Sequence, residues 1–129
     1  MGVSCMKPGD AAPWIKKAEE DRRVARKLDP ETESDSICFH SQQCAEKYLK
    51  AFLELHRRRF PRTHDLMVLL NIGLPLEKSL RALANELSDL NPYSVIARYP
   101  GLETTPDEAR RAMKAARKVR AVLRKKMEL

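Results

Sequence analysis

An all-α protein, an up-and-down bundle of four main helices plus a short one, is the fold the sequence predicts. Three observations carry that reading. Apolar residues recur at three- and four-residue steps through most of the chain. Breaks at Pro30, Pro61, Gly73, Pro92 and Gly101 cut it into five helical pieces. No stretch alternates apolar and polar residues as a competing strand would.

The first helix is "PWIKKAEEDRRVARKL", residues 13–28. Pro13 suits a first turn, and Trp14, Ile15, Ala18, Val24, Ala25 and Leu28 fall on one side. "DPETESDS" ends it as an acidic, serine-rich loop. From Ser36 to Arg57 a second helix carries a continuous stripe from Ile37 and Cys38 to Phe52 and Leu55, flanked by Phe39, Gln42, Glu46 and Leu53. A stripe this wide predicts a central helix covered on more than one side. Beyond Pro61, Thr63 can cap the short helix "HDLMVLL", which Asn71-Ile72-Gly73 ends. "PLEKSLRALANELSDL" repeats Leu76, Leu80, Leu83, Leu87 and Leu90 at helical spacing, a fourth helix stopped by Asn91-Pro92. "YSVIARYPG" reads as an ordered linker. The last helix opens on Thr105-Pro106-Asp107-Glu108, a capping box with proline in the first turn. Ala109, Ala112, Met113, Ala116, Val119 and Leu123 then make a small-residue face suited to close packing.

With 129 residues the chain suits one domain, read as 13–129 behind a flexible segment 1–12. Lys and Arg outnumber Asp and Glu by 25 to 18, so an anionic partner such as RNA or a nucleotide is physically reasonable. Apolar runs fall far short of the roughly 20 residues that cross a bilayer. With no signal-peptide core in "MGVSCMKPGD", the expected location is the cytoplasm, with no membrane contact. Cys5, Cys38 and Cys44 are odd in number and not paired as CxxC, so they read as structural thiols. A glycine-rich phosphate loop, HExxH and paired-cysteine spacing are all missing from the sequence, so no metal or cofactor is expected.

Three constellations could carry chemistry. In "RRRFPRTHDL", His64 could move the proton of a 2′-hydroxyl while Arg59, or Arg58 or Arg57 in its place, stabilises a phosphorane, as a metal-independent ribonuclease requires. The competing reading is a cationic helix end followed by a cap. On the last helix Arg110, Lys114 and Arg117, with Arg111, Lys118, Arg124 and Lys125, lie opposite the alanine face and could follow a phosphate backbone or be plainly solvated. Arg98 and Tyr99 in "SVIARYPG" could bind phosphate, or Arg98 could pair with Asp21 or Glu46 while Tyr99 packs. His40 and Cys44 stand one helical turn apart, with nothing marking an oxyanion hole.

"WIKKAEEDRRVARKL", "CFHSQQCAEKYLKAFL", "PRTHDLMVLL" and "IARYPG", in that order, resemble the HEPN domain, a nucleotide-binding domain named for higher eukaryotes and prokaryotes. The likeness runs from Trp14 to Leu123, and its specific parts are the Phe-His-x-Gln-Gln-x-x-Glu-Lys pattern at 39–47 and Arg-Tyr-Pro at 98–100. The resemblance implies a small helical bundle, a homodimer, and a partnership with a separately encoded minimal nucleotidyltransferase in a toxin–antitoxin-like or nucleotide-binding system. It also implies, for many members, a metal-independent endoribonuclease built on Arg-x(4–6)-His at a dimer cleft. Arg59 and His64 fit that spacing, but Phe60 follows the arginine where ribonuclease members carry a polar residue, and "THDL" is similar to the branch that pairs with nucleotidyltransferases. A non-catalytic RNA-binding module is the third reading. The edge of the second helix bearing Phe39, Gln42, Glu46 and Leu53 is the expected dimer interface, since one small bundle cannot cover both sides of that helix.

Overall fold

The computed structural model of the chain describes residues 9–129. Cys5 and most of the segment 1–12 lie outside the described residues, but the first helix already begins at Ala12.

Three long helices form the frame: α1 (Ala12–Lys27), α2 (Ser34–Leu55) and α5 (Pro106–Lys126). Two short ones, α3 (Leu66–Gly73) and α4 (Ala84–Leu90), close the side that α1 and α5 leave open. α2 is the axis, and α1, α5, α3 and α4 all pack on it. Tyr48, Leu49, Phe52 and Leu53 of α2 meet Leu66 and Leu69 of α3, Leu87 and Leu90 of α4, and Val119 and Leu123 of α5 in one apolar cluster. The all-helical reading therefore holds, with no strand among the described residues.

Several details depart from the sequence reading. The fourth helix is split, Lys78–Leu83 being 3₁₀ and only Ala84–Leu90 α-helical. Leu80 and Leu83 are both fully buried in the 3₁₀ turn, because side chains at i and i+3 align there as they nearly do in an α-helix. Leucine spacing therefore fits both forms. The linker becomes two 3₁₀ turns, Asn91–Ser94 and Ile96–Arg98. Val24 and Leu55 are exposed, not part of the apolar face.

Caps explain how the pieces are joined. The capping box at Thr105 and Glu108 is formed in both directions. At α3 the cap is Asp65, whose carboxylate accepts from Met67 N at 2.9 Å; Thr63 sits two residues earlier and accepts from Asp65 N at 3.0 Å. Asn91 bridges the start of α3 to the end of α4, accepting from Leu66 N and donating to Asp65. At the start of α2, Asp35 accepts from the backbone and hydroxyl of Thr104, so the entry to α5 is tied to the entry to α2. α2 ends without glycine: Arg57 takes φ 56°, its N–H bonds Glu54 O, and Arg58 N–H bonds Leu53 O. That is a Schellman turn with arginine in the left-handed position, at a cost of about 1 kcal/mol that glycine would spare.

The edge of α2 expected to be exposed is instead enclosed. Gln42, Glu46 and Leu53 are buried within the single chain by α3 and the loop before it, and only Phe39 keeps a half-buried surface. Leu53→Ala should therefore lower stability by roughly 2–5 kcal/mol in urea unfolding, as a core truncation does. Leu53→Asp should give unfolded protein in circular dichroism. A folded monomer carrying Asp at position 53 would overturn this placement.

Candidate functional site

The "FHSQQCAEKYLK" segment puts polar side chains on both sides of α2, and each side builds its own cluster. On the first side Glu46, 2% exposed, faces the loop before α3. Lys50 Nζ donates to its Oε2 at 3.1 Å, and His64 Nδ1 donates to its Oε1 at 2.9 Å. Gln43 Nε2 donates to Gln42 Oε1 at 2.7 Å, while Gln42 Nε2 donates to the carbonyl of His64 at 3.0 Å. The Lys50 ammonium also stands 5.3 Å from the Trp14 ring and 5.9 Å from that of Phe60, and those two rings meet edge to face. An unpaired buried carboxylate would cost several kcal/mol; here a cation, an imidazole and two amides surround it. Together these contacts hold the "PRTHDL" loop onto α2.

The histidine of the Arg–His spacing is thereby placed. Its side chain is 61% exposed, Nδ1 is turned to Glu46, and Nε2 has no hydrogen-bond partner among the described residues. A carboxylate behind an imidazole fixes its tautomer and orientation, as acid–base chemistry needs. Arg57, Arg58 and Arg59 are exposed, and none forms an ion pair among the described residues. Among the described residues, none of them shares a hydrogen bond with His64.

On the other side Asp21, buried on α1, accepts from His40 Nδ1 at 2.8 Å and from Lys47 Nζ at 2.5 Å. His40 is thus committed to Asp21 and not to Cys44. Arg98 pairs with neither Asp21 nor Glu46; its guanidinium lies 5.8 Å from the Phe39 ring. Tyr99 is 55% exposed and is not part of the core. For this segment, Arg98 is therefore exposed with its guanidinium near Phe39, and Tyr99 is exposed.

One turn further along, Glu19 accepts two hydrogen bonds from Arg120, at 2.8 and 2.9 Å, and a third from the Tyr48 hydroxyl, to which Arg124 also donates. Arg120 chiefly holds the Glu19 carboxyl down to about 2, against the upward push of burial and with help from Tyr48. Burial first, then its bond to Glu19, raises the Tyr48 hydroxyl. Beside them Cys44 is pushed up to about 12, and near Thr104 at the start of α2 Cys38 is pushed up to about 11, chiefly by burial, so both thiols stay protonated and unreactive.

The basic face of α5 is not uniform. Arg110 is tied to Glu31 and Asp107, and Lys118 to Glu86. Lys114 is exposed without an ion pair among the described residues, and Arg117 lines a cavity between α1, α2 and α5. The same cavity is floored by Ser41, 2% exposed, whose Oγ has no hydrogen-bond partner. Spacing could not reveal Glu46, Glu19, Tyr48 or Ser41 as polar centres, because each falls within or beside an apolar stripe; a carboxylate inside that stripe was the available signal. Among the described residues, no three or more His, Cys, Asp and Glu gather to hold a metal ion, and no helix is long and apolar enough to cross a membrane.

The family model described as HEPN domain matches residues 11–126. Over 93 residues the chain is 36% identical to a Methanocaldococcus jannaschii protein named "Putative toxin MJ1304"; the match covers 67% of this chain and 61% of that protein, less than two thirds of the relative's length. Two crystal structures are similar. One, described as ST0689, an archaeal HEPN homologue, has a TM-score of 0.72 at 24% identity, covering 94% of this chain and 98% of the other, and shows the fold alone. The other, TT1696 from Thermus thermophilus, has a TM-score of 0.73 at 25% identity, covering 90% and 97%.

The Glu19 geometry sets a pH dependence. Its folded-state value lies below the unfolded one, so its stabilisation is complete above about pH 4.5 and is lost as pH falls toward about 2. The amount at stake is on the order of 2–3 kcal/mol. Glu19→Gln should flatten the acid limb of stability against pH in urea unfolding; an acid limb parallel to the parent's would contradict the role given to Arg120.

Proposed function

The chain belongs to the HEPN domain family, and on that premise we propose that it is the helical, toxin-like component of a two-protein system whose other member is a separately encoded minimal nucleotidyltransferase. The observation that carries this over the nuclease reading is the setting of His64. Its ring and its backbone carbonyl are both bound to α2, through Glu46 and Gln42, so the "THDL" loop acts as a fastening, and no arginine forms a hydrogen bond with the ring among the described residues. The 36% identity to a protein named as a toxin supports the class of system. Arg98 and Tyr99, exposed beside Phe39, and the exposed Lys114 offer a basic surface for a partner protein, a nucleotide or RNA. The homodimer implied for the family would use Phe39 and its surroundings, since Gln42, Glu46 and Leu53 are enclosed in the protomer.

One observation favours the endoribonuclease as a second reading. His64 has an exposed ring whose Nε2 is free of hydrogen bonds among the described residues, with a buried carboxylate behind Nδ1, and a second protomer could bring the missing arginine. The two readings part on one experiment: RNA is incubated with the purified protein in EDTA beside His64→Ala, and the protein is co-expressed with the nucleotidyltransferase of its own genome. The partner reading predicts a stable complex and no His64-dependent cleavage. Metal-free cleavage lost in His64→Ala would replace it with the nuclease reading.

A further inference from the structure

α1 and α5 each pack along α2 but make little contact with each other, and the cavity of about 170 Å³ lies in the gap between them. Its floor is apolar, made by Ala25 of α1, Cys44 of α2, and Met113 and Ala116 of α5. Ser41 also borders it, but the hydroxyl is enclosed and out of reach, and the Cys44 thiol stays protonated. The floor therefore offers an entering group neither charge nor a hydrogen bond. A closed hollow of ~150 Å³ takes a benzene-sized group, so this one has room for a single apolar side chain.

The rim is the reverse. Arg22 and Arg26, one helical turn apart on α1, line the same cavity as Arg117 and Arg120 of α5. Arg120 is held by Glu19 through two hydrogen bonds, and Asp21, next to Arg22 in the chain, is taken up by His40 and Lys47. Arg22, Arg26 and Arg117 form no ion pair or side-chain hydrogen bond among the described residues, and neither does Lys114, one turn before Arg117. Like charges grouped at a concave surface repel one another until an anion neutralises them. A protein segment with an apolar residue among Asp and Glu brings both the anion and a group to fill the hollow; a nucleic-acid backbone brings the charge alone.

We infer that the groove between α1 and α5 docks an acidic segment of the partner protein, whose apolar anchor fills the hollow while its Asp and Glu side chains pair with Arg22, Arg26 and Arg117. The inference rests on the reading of the chain as one half of a two-protein system, and it gives that system a contact face. An apolar anchor buried in a pocket carries much of the affinity of a protein interface. The guanidinium fork matches a carboxylate through paired N–H donors, and a chain with a formal charge of +7 draws an acidic partner from a distance. Arg110, on the same helix, is tied to Glu31 and Asp107 and does not line the groove. Neither His64 nor Glu46 contributes to it, so this face is separate from the fastening of the loop before α3.

Calorimetric titration of the full chain with the nucleotidyltransferase of its own genome tests it. Binding to the parent chain should weaken as salt rises. A double variant carrying Arg22→Glu and Arg117→Glu should bind about thirtyfold more weakly or worse, as reversal of interface charges does. Ala116→Met, which fills the hollow, should weaken binding about tenfold, and Arg110→Ala should leave it unchanged. Since neither reversed arginine has a partner in the fold, the double variant should keep the parent's circular dichroism and melting temperature, separating lost binding from lost structure. Hydrogen exchange on the nucleotidyltransferase should show a protected segment with an apolar residue among Asp and Glu, and the double variant should remove that protection. No complex with the parent chain overturns the partner reading and this inference together. A complex that the double variant forms equally well, that Arg110→Ala weakens equally, or that shields no acidic segment overturns the inference alone. So does loss of RNA binding or of self-association in the double variant while the complex survives, because the groove then belongs to RNA or to a second copy.

Discussion

The constraint on which the structure turns is that α2 is covered on every side by its own chain. A 22-residue helix at the centre of a 129-residue bundle has no solvated face along its middle, yet its sequence places Gln42, Gln43, Glu46 and Lys50 there. Each must find partners inside the protomer, because a buried ion left unpaired costs several kcal/mol. Glu46 meets Lys50 and His64, and the two glutamines bridge the carboxylate to the backbone of the loop before α3. The charge that makes α2 costly to bury is what fixes that loop.

Opposite Glu46 the same logic produces a different result. Tyr48 and Ser41 turn toward α1 and α5, and there Glu19 collects Arg120 and Tyr48 into a clasp that joins the first and last helices. The clasp absorbs one arginine of four around the cavity and leaves the others unmatched. The two sides of α2 thus divide the molecule into a closed, charge-balanced cluster under His64 and an open, cationic hollow beside Ser41. Of the basic side chains, Lys47, Lys50, Arg110, Lys118 and Arg120 are held by carboxylates, whereas Arg26 and Arg117 at the hollow and Arg57, Arg58 and Arg59 at the end of α2 form no ion pair among the described residues.

Periodicity in the sequence made α1, α2 and α5 legible because their apolar stripes are long and their caps carry direct signals, such as Thr105-Pro106-Asp107-Glu108. The split of the fourth helix was not legible, since leucines at alternating three and four steps serve an α-helix and a 3₁₀ turn alike. Nor was the end of α2, where arginine occupies the left-handed position that usually announces itself as glycine. At the site, His64 could be picked out by residue type, but its role depends on Glu46, 18 positions away, which the apolar stripe disguised as an interface residue. Ser41 looked like part of that stripe for the same reason. The unseen features are all contacts between elements, which local spacing does not encode.

A thermodynamic double-mutant cycle on Glu46 and Lys50, read by urea unfolding, tests the central account most directly. If α2 depends on an internally balanced buried charge pair, Glu46→Ala and Lys50→Ala should each destabilise by roughly 3–5 kcal/mol. The double variant should lose less than their sum, by roughly 1–3 kcal/mol. Single losses that add to within about 0.5 kcal/mol would show no coupling and contradict it.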